Sequence, residues 1–259
     1  MSKVYLVDIE GTIVKDKSYT PIDGAVKWIN SFSASDHHLV LLSNNTTNKP
    51  RELVSLLESK GFDVSAENLV TCMSAAVNWL KIGSVRSCFV IGSPQLSEYL
   101  NESGIETPSH HRVEAVLVGL DPSLTHNKLK VALNALVKDD ASLLALHTNR
   151  LYQDEQGELS PSVGPVVKAL EYGSQKEAKV FGKPNPEIYQ AAISKSGVGP
   201  ENCFMISDDP LSDLAGAKRL GMKTVFVTSG KYKDREILNN LSEDSQPDWV
   251  HQSVREIRI

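Results

Sequence analysis

The chain has 259 residues, 41% of them hydrophobic and 23% charged, with a formal net charge of -5. That length suits one large core or two modest ones, and the acidic balance offers no basic footprint for nucleic acid as the main partner. No apolar run approaches the ~18 residues that cross a bilayer. The first residues lead straight into a strand pattern without a basic leader or a cleavage site, so the expectation is a cytoplasmic protein with no membrane association.

The opening stretch Val4-Tyr5-Leu6-Val7-Asp8-Ile9-Glu10-Gly11-Thr12 is a short apolar run halted by acids and Gly-Thr. It reads as a buried parallel strand that delivers Asp8 and Glu10 into a loop at its carboxyl end. While the chain stays extended, residues 8 and 10 share a side, so one carboxylate can attack while the other handles a proton. Taken alone, the stretch suits an ordinary acidic turn equally well. An amphipathic helix is expected over residues 25–32 and a second strand over 38–42, ending in Ser43-Asn44-Asn45. Lys49-Pro50 opens another helix, stopped by Gly61. A short strand (69–72) and a helix (74–80) follow. Strand, helix and strand recur, which is the pattern of a parallel sheet with crossovers.

From about Lys81 the pattern restarts, with strands over 87–91, 113–120 and 143–146 and helices over 95–103 and 125–137. Pro161-Ser162-Val163-Gly164 makes a return connection, its glycine serving the turn, before a helix to Tyr172. This block is large enough for a small α/β domain of its own. Residues 178–181 return to a strand, followed by Gly182-Lys183-Pro184-Asn185-Pro186, in which Asn185 suits an N-cap with proline behind it. A strand over 203–206 breaks into Ser207-Asp208-Asp209-Pro210-Leu211-Ser212-Asp213. A helix over 215–220 and a last core strand over 224–227 complete the pattern. Cys72, Cys88 and Cys203 are far apart, sit in apolar stretches and lack C-x-x-C spacing, which suits reduced core thiols.

Four strand ends thus carry polar residues: Asp8 with Glu10, Ser43 with Asn44, Lys183, and Asp208 with Asp213. Each has an ordinary reading by itself: a turn pair, a solvated lysine, acids at a helix start. In one parallel sheet all four would lie on one edge. Together they supply a nucleophilic carboxylate, donors for anion oxygens, a cation and an acidic cluster for a hard metal. Phosphoryl transfer to an aspartate needs that set, because its catalysis is mostly positioning and charge neutralisation.

These four ordered segments resemble the four motifs of the haloacid dehalogenase (HAD) superfamily of phosphohydrolases. The inserted block resembles the C2 cap of subgroup IIA. Within it, Ala145-Leu146-His147, Gly157-Glu158-Leu159, Phe181-Gly182-Lys183-Pro184 and Ser207-Asp208-Asp209 look most like the phospholysine phosphohistidine inorganic pyrophosphate phosphatase branch. The resemblance implies an α/β fold: a Rossmann-like core with a parallel sheet flanked by helices (residues 1–80 and 176–259) and a smaller α/β C2 cap (81–175). It implies that Asp8 attacks phosphorus to form an aspartyl phosphate. Asp8, the main-chain carbonyl of Glu10 and Asp208 would hold Mg²⁺, with Asp213 supporting the metal shell. Ser43 and the main-chain amide of Asn44 would bind phosphoryl oxygens, Lys183 would neutralise charge, and Asp209 would serve the helix start.

One departure stands out. The family pattern has Asp two residues after the nucleophile as general acid and base, and here that residue is Glu10. Glutamate keeps the carboxyl but reaches ~1.5 Å further. The expectation is an active phosphatase of a small phosphorylated molecule, phosphoamino acids and pyrophosphate among the candidates. The alternative is a weakened phosphoryl-binding protein with a regulatory or interaction role. His147, Asn149 and Arg150 follow a cap strand and are the candidate specificity residues, against the plain alternative of a polar cap loop. Pairing of caps in the family implies a homodimer. A dinucleotide or P-loop reading fails, because neither G-x-G-x-x-G nor G-x-x-x-x-G-K-[ST] occurs where it is needed.

Overall fold

A computed structural model describes residues 2–15, 18–153, 158–194 and 196–259, so Gly157 of the motif noted above lies outside the described residues. In chain order, β1 (Val4–Asp8), α1 (Ala25–Asn30), β2 (His38–Ser43), α2 (Pro50–Ser59), β3 (Leu69–Thr71) and α3 (Cys72–Ile82) come first. Next are β4 (Cys88–Ile91), α4 (Pro94–Glu102), β5 (Ala115–Val118), α5 (His126–Lys138) and β6 (Ser142–Ala145). A short hairpin of β7 (Leu151–Gln153) and β8 (Leu159–Pro161) leads to α6 (Val163–Ser174) and β9 (Lys179–Val180). The chain closes with α7 (Pro186–Ile193), β10 (Cys203–Ser207), α8 (Ala215–Arg219), β11 (Lys223–Val227) and β12 (Trp249–His251).

The chain divides into two compact units. The first holds Met1–Ser43, Pro50–Thr71 and Lys183–Ile259, and the second holds Asn44–Lys49 and Cys72–Gly182. The first unit carries a six-stranded parallel sheet in the order β12-β11-β10-β1-β2-β3. Alternate residues of its strands feed two cores, as period two requires. Tyr5, Val7, Leu41 and Ile206 pack with Trp28, Ile29 and Leu53 on one face. Val4, Leu6, Leu42 and Met205 pack with Ile188, Tyr189 and Ala217 on the other. Burial on both faces explains why these strands are continuous apolar runs in sequence.

The second unit carries a four-stranded parallel sheet, β4-β5-β6-β9. Its core joins Phe89, Val116, Val118 and Leu143 to Ala132, Leu136, Val167 and Leu170 of α5 and α6. Helix starts here follow local chemistry: Ser93 accepts from the Leu96 amide at 3.3 Å ahead of Pro94, and Thr125 accepts from the Lys128 amide at 3.3 Å.

Two expectations are corrected. The strand at 178–181 does not return to the first sheet: β9 pairs with β6. The strand expected over 224–227 is β11, and the short β12 adds a further parallel edge strand beside it. Gly164 belongs to α6 rather than a turn. A Cβ there would stand 2.6 Å from the Thr148 carbonyl oxygen and 2.9 Å from that of Asn149, so its small size serves close backbone approach. Among the described residues no helix is long and apolar enough to cross a membrane.

Candidate active site

Strand order in the first sheet reverses at β1, with β2 and β3 on one side and β10 to β12 on the other. Ligands of open α/β sheets bind in the crevice beyond the carboxyl ends at such a reversal. Asp8 is the last residue of β1, Ser43 the last of β2, and Asp208 the first after β10. All three are buried.

The chain turns tightly after Asp8, the Ile9 carbonyl accepting from the amides of Thr12, Ile13 and Val14 at 3.3, 3.0 and 3.1 Å. Gly11 has φ +83° in this turn, and a Cβ on it would overlap the Asp208 carboxylate. Glycine is therefore required twice at this position, for conformation and for space. Gly230 approaches the same carboxylate from the far end of the chain and leaves no room for a Cβ either. The neighbouring Lys231 amide donates to Asp208 Oδ2 at 2.5 Å. Thr12 ties the ends of β1 and β10 together: its hydroxyl accepts from the Asp208 amide at 3.2 Å and lies 3.4 Å from Asp8 Oδ2.

Lys183 does not arrive from a strand of this sheet, since β9 belongs to the second unit. It stands at the approach to α7, and its ammonium is buried between two carboxylates, in contact with Asp8 Oδ1 and 2.6 Å from Asp213 Oδ2. Asp213 sits in a wide turn, Pro210–Leu214, that precedes α8. Asp209 caps this turn, its side chain accepting from the Leu211 and Ser212 amides at 3.1 and 3.0 Å. It also pairs with Lys231 Nζ at 2.9 Å.

Three acids thus share a buried region with Lys183. Burial pushes Asp8 well above the usual carboxylate range; Lys183 opposes this, while Asp213 and Asp208 add to it. Asp208 is pushed up to about 6, by burial first, against the Lys231 amide that favours the charged form. Burial also works against the Lys183 ammonium, but Asp213 and Asp8 together outweigh it and hold the lysine protonated. The surplus of buried negative charge fits a hard divalent cation, as does the all-oxygen character of the donors. Among the described residues no three acid, histidine or cysteine side chains form a closed cage. Asp213 is already committed to Lys183, so a cation here would draw on two carboxylates, main-chain oxygen and water.

The other expected residues are distributed as follows. Glu10 is exposed and its Oε1 accepts from the Tyr19 hydroxyl at 3.3 Å. Asn44 follows Ser43 but is counted with the second unit, where a Cβ on Gly182 would stand 2.6 Å from its Oδ1. His147 is buried two residues beyond β6; its Nδ1 accepts from the Asn149 amide at 3.3 Å, and burial lowers its pKa to about 4. Asn149 and Arg150 are exposed. Sequence reasoning assigned no role to Thr12, Tyr19, Tyr189 or Ser207. The available signal was modest: a hydroxyl four residues after Asp8, and a serine directly before the Asp208 pair.

A family model for haloacid dehalogenase-like hydrolases matches residues 5–106, and a HAD-hydrolase-like model matches residues 180–257. The haloacid dehalogenase-like hydrolase domain-containing protein 2 of Rattus norvegicus is 33% identical over 92% of this chain and 89% of its own. The phospholysine phosphohistidine inorganic pyrophosphate phosphatase of Homo sapiens is 30% identical over 88% of this chain and 83% of its own. Among solved structures, the p-nitrophenyl phosphatase from Archaeoglobus fulgidus superimposes with a TM-score of 0.88 at 27% identity, covering 98% of this chain and 97% of that one. The chain belongs to the haloacid dehalogenase-like hydrolases, in subgroup IIA. Its relatives place it among the phosphatases of that family.

Proposed function

We propose that the protein is a Mg²⁺-dependent phosphohydrolase of a small phosphorylated molecule that works through an aspartyl phosphate on Asp8. The observation that carries this reading is the buried Asp8 carboxylate at the strand-order reversal, held by Lys183 on one oxygen and approached by Thr12 on the other. Asp8, the main-chain carbonyl of Glu10 and Asp208, with Asp213 in support, would hold Mg²⁺, which supplies charge neutralisation at the phosphoryl oxygens.

Asp8 forms the bond to phosphorus as the bond to the leaving oxygen breaks, and Glu10 gives that oxygen a proton. Glu10 then takes a proton from the water that attacks the acyl phosphate, which releases phosphate and restores the Asp8 carboxylate. Ser43 and the Asn44 amide bind phosphoryl oxygens while Lys183 offsets charge on both partners. Asn149 and Arg150 would serve as specificity residues for an anionic substrate, and phosphoamino acids or pyrophosphate fall within the expected range.

The test is phosphate release from p-nitrophenyl phosphate with and without Mg²⁺. Wild type should turn over only with the metal, and Asp8→Asn should lose at least ~10³-fold, since no other group can take the nucleophile's part. Mg²⁺-dependent vanadate binding without turnover would replace this reading with that of a phosphoryl-binding protein.

A further inference from the structure

Asp213 is held by more than Lys183. The Ser207 hydroxyl lies 2.9 Å from Asp213 Oδ2, the same oxygen that accepts from the Lys183 ammonium. Ser207 also accepts from the Asp209 amide at 3.1 Å. With that amide aimed at its lone pair, the hydroxyl proton is directed at Asp213. The Tyr189 hydroxyl donates to the Asp213 main-chain carbonyl at 2.7 Å. Ser207 and Tyr189 are fully buried, so neither hydroxyl exchanges its partner for water. Gly216 makes room for the phenol: a Cβ there would stand 2.6 Å from Tyr189 Oη.

We propose that Ser207 and Tyr189 are positioning residues for the phosphoryl-transfer step, acting through Asp213 to aim the Lys183 ammonium at Asp8. Ser207 fixes the Asp213 side chain and Tyr189 fixes its backbone within the wide turn Pro210–Leu214. The brace comes from two different elements, β10 and α7, so a shift of the turn cannot satisfy both donors at once. It rests on the phosphatase reading for its kinetic consequence but not for its structural one.

The experiment compares wild type with Ser207→Ala, Ser207→Thr and Tyr189→Phe, each also in an Asp213→Asn background, using p-nitrophenyl phosphate and Mg²⁺. Ser207→Ala and Tyr189→Phe should each lower kcat about tenfold, the loss of the hydrogen bond that each hydroxyl gives to Asp213. KM and the Mg²⁺ half-saturation point should stay within about twofold, and Ser207→Thr should recover most of the rate. With Asp213→Asn already present, neither substitution should cost a further factor. Wild-type kcat in the folded single variants, or equal added losses in the Asp213→Asn background, overturns the proposal. A wild type that releases no phosphate sinks the phosphatase reading alone. The brace is then judged on crystal structures of Ser207→Ala and Tyr189→Phe, where unmoved Asp213 and Lys183 side chains reject it.

Discussion

Beyond the carboxyl ends of β1 and β10, the first unit buries Asp8, Asp208, Asp213 and Lys183. Beyond β6, the second unit buries the neutral His147 and leaves Asn149 and Arg150 exposed. Both are parallel sheets flanked by helices, and their apolar cores are built alike. The contrast lies in what each does with charge. Burying an ion costs several kcal/mol unless it is paired, and the first unit answers with one ammonium shared by two carboxylates. Burial first, and the neighbouring acids after it, raise the pKa values of Asp8 and Asp208. The second unit meets the same cost by keeping His147 unprotonated. Strongly perturbed acids clustered at a sheet's switch point are where chemistry is expected, whereas one neutral buried imidazole satisfied by a nearby amide is compatible with scaffold alone.

The strongest way to break this contrast is to remove the cation. Lys183→Ala strands Asp8 and Asp213 as buried acids without their partner, and urea unfolding in metal-free buffer should show a loss of about 3–5 kcal/mol. Phosphatase activity should fall with it. A variant as stable as wild type would mean that the pair contributes no net stabilisation and that the two units do not differ in the way described.

His147 sharpens the comparison from the other side. Its folded pKa of about 4 lies below the ordinary 6.5, so the unfolded chain binds the proton first as pH falls. The stability gained from burying the neutral ring is complete above about pH 6.5 and is lost as pH drops through 4. The span corresponds to about 3 kcal/mol at most. His147→Gln should flatten the wild-type slope of unfolding free energy between pH 6.5 and 4, and an unchanged slope would place its cause elsewhere.

How much of this was legible in the sequence follows from where each partner lies. The ends of β1, β2 and β10 could be read because a fully buried strand is an apolar run and the polar residue that stops it marks the edge. Lys183 was read as a strand-end residue of the same sheet. It reaches Asp8 although β9, only two residues long, pairs in the other unit. The hairpin β7-β8 and the edge strand β12 went unread because three residues with exposed Leu151, Leu159 and Trp249 carry no alternation to detect. The hydroxyls of Thr12 and Tyr189 act on groups 196 and 24 residues away, and single-sequence periodicity holds no trace of such pairings. Local rules did reach the N-cap at Asn185 with proline at the first helical position.

Glu10 gives the smallest expected effect and separates positioning from proton transfer. It is the one exposed member of the proposed catalytic set, its carboxylate steadied by the Tyr19 hydroxyl at 3.3 Å. Exposure suits a group that must meet both a leaving oxygen and a water. A p-nitrophenolate leaves readily without a proton, so Glu10→Ala should cost less than about tenfold on p-nitrophenyl phosphate. An alkyl phosphate needs the proton, and there the loss should reach about 100-fold, the lower range of general-acid contributions. Equal losses on both substrates would assign Glu10 to organising the loop after β1. An unchanged rate on the alkyl ester would remove its acid role and leave the buried charge cluster to act without it.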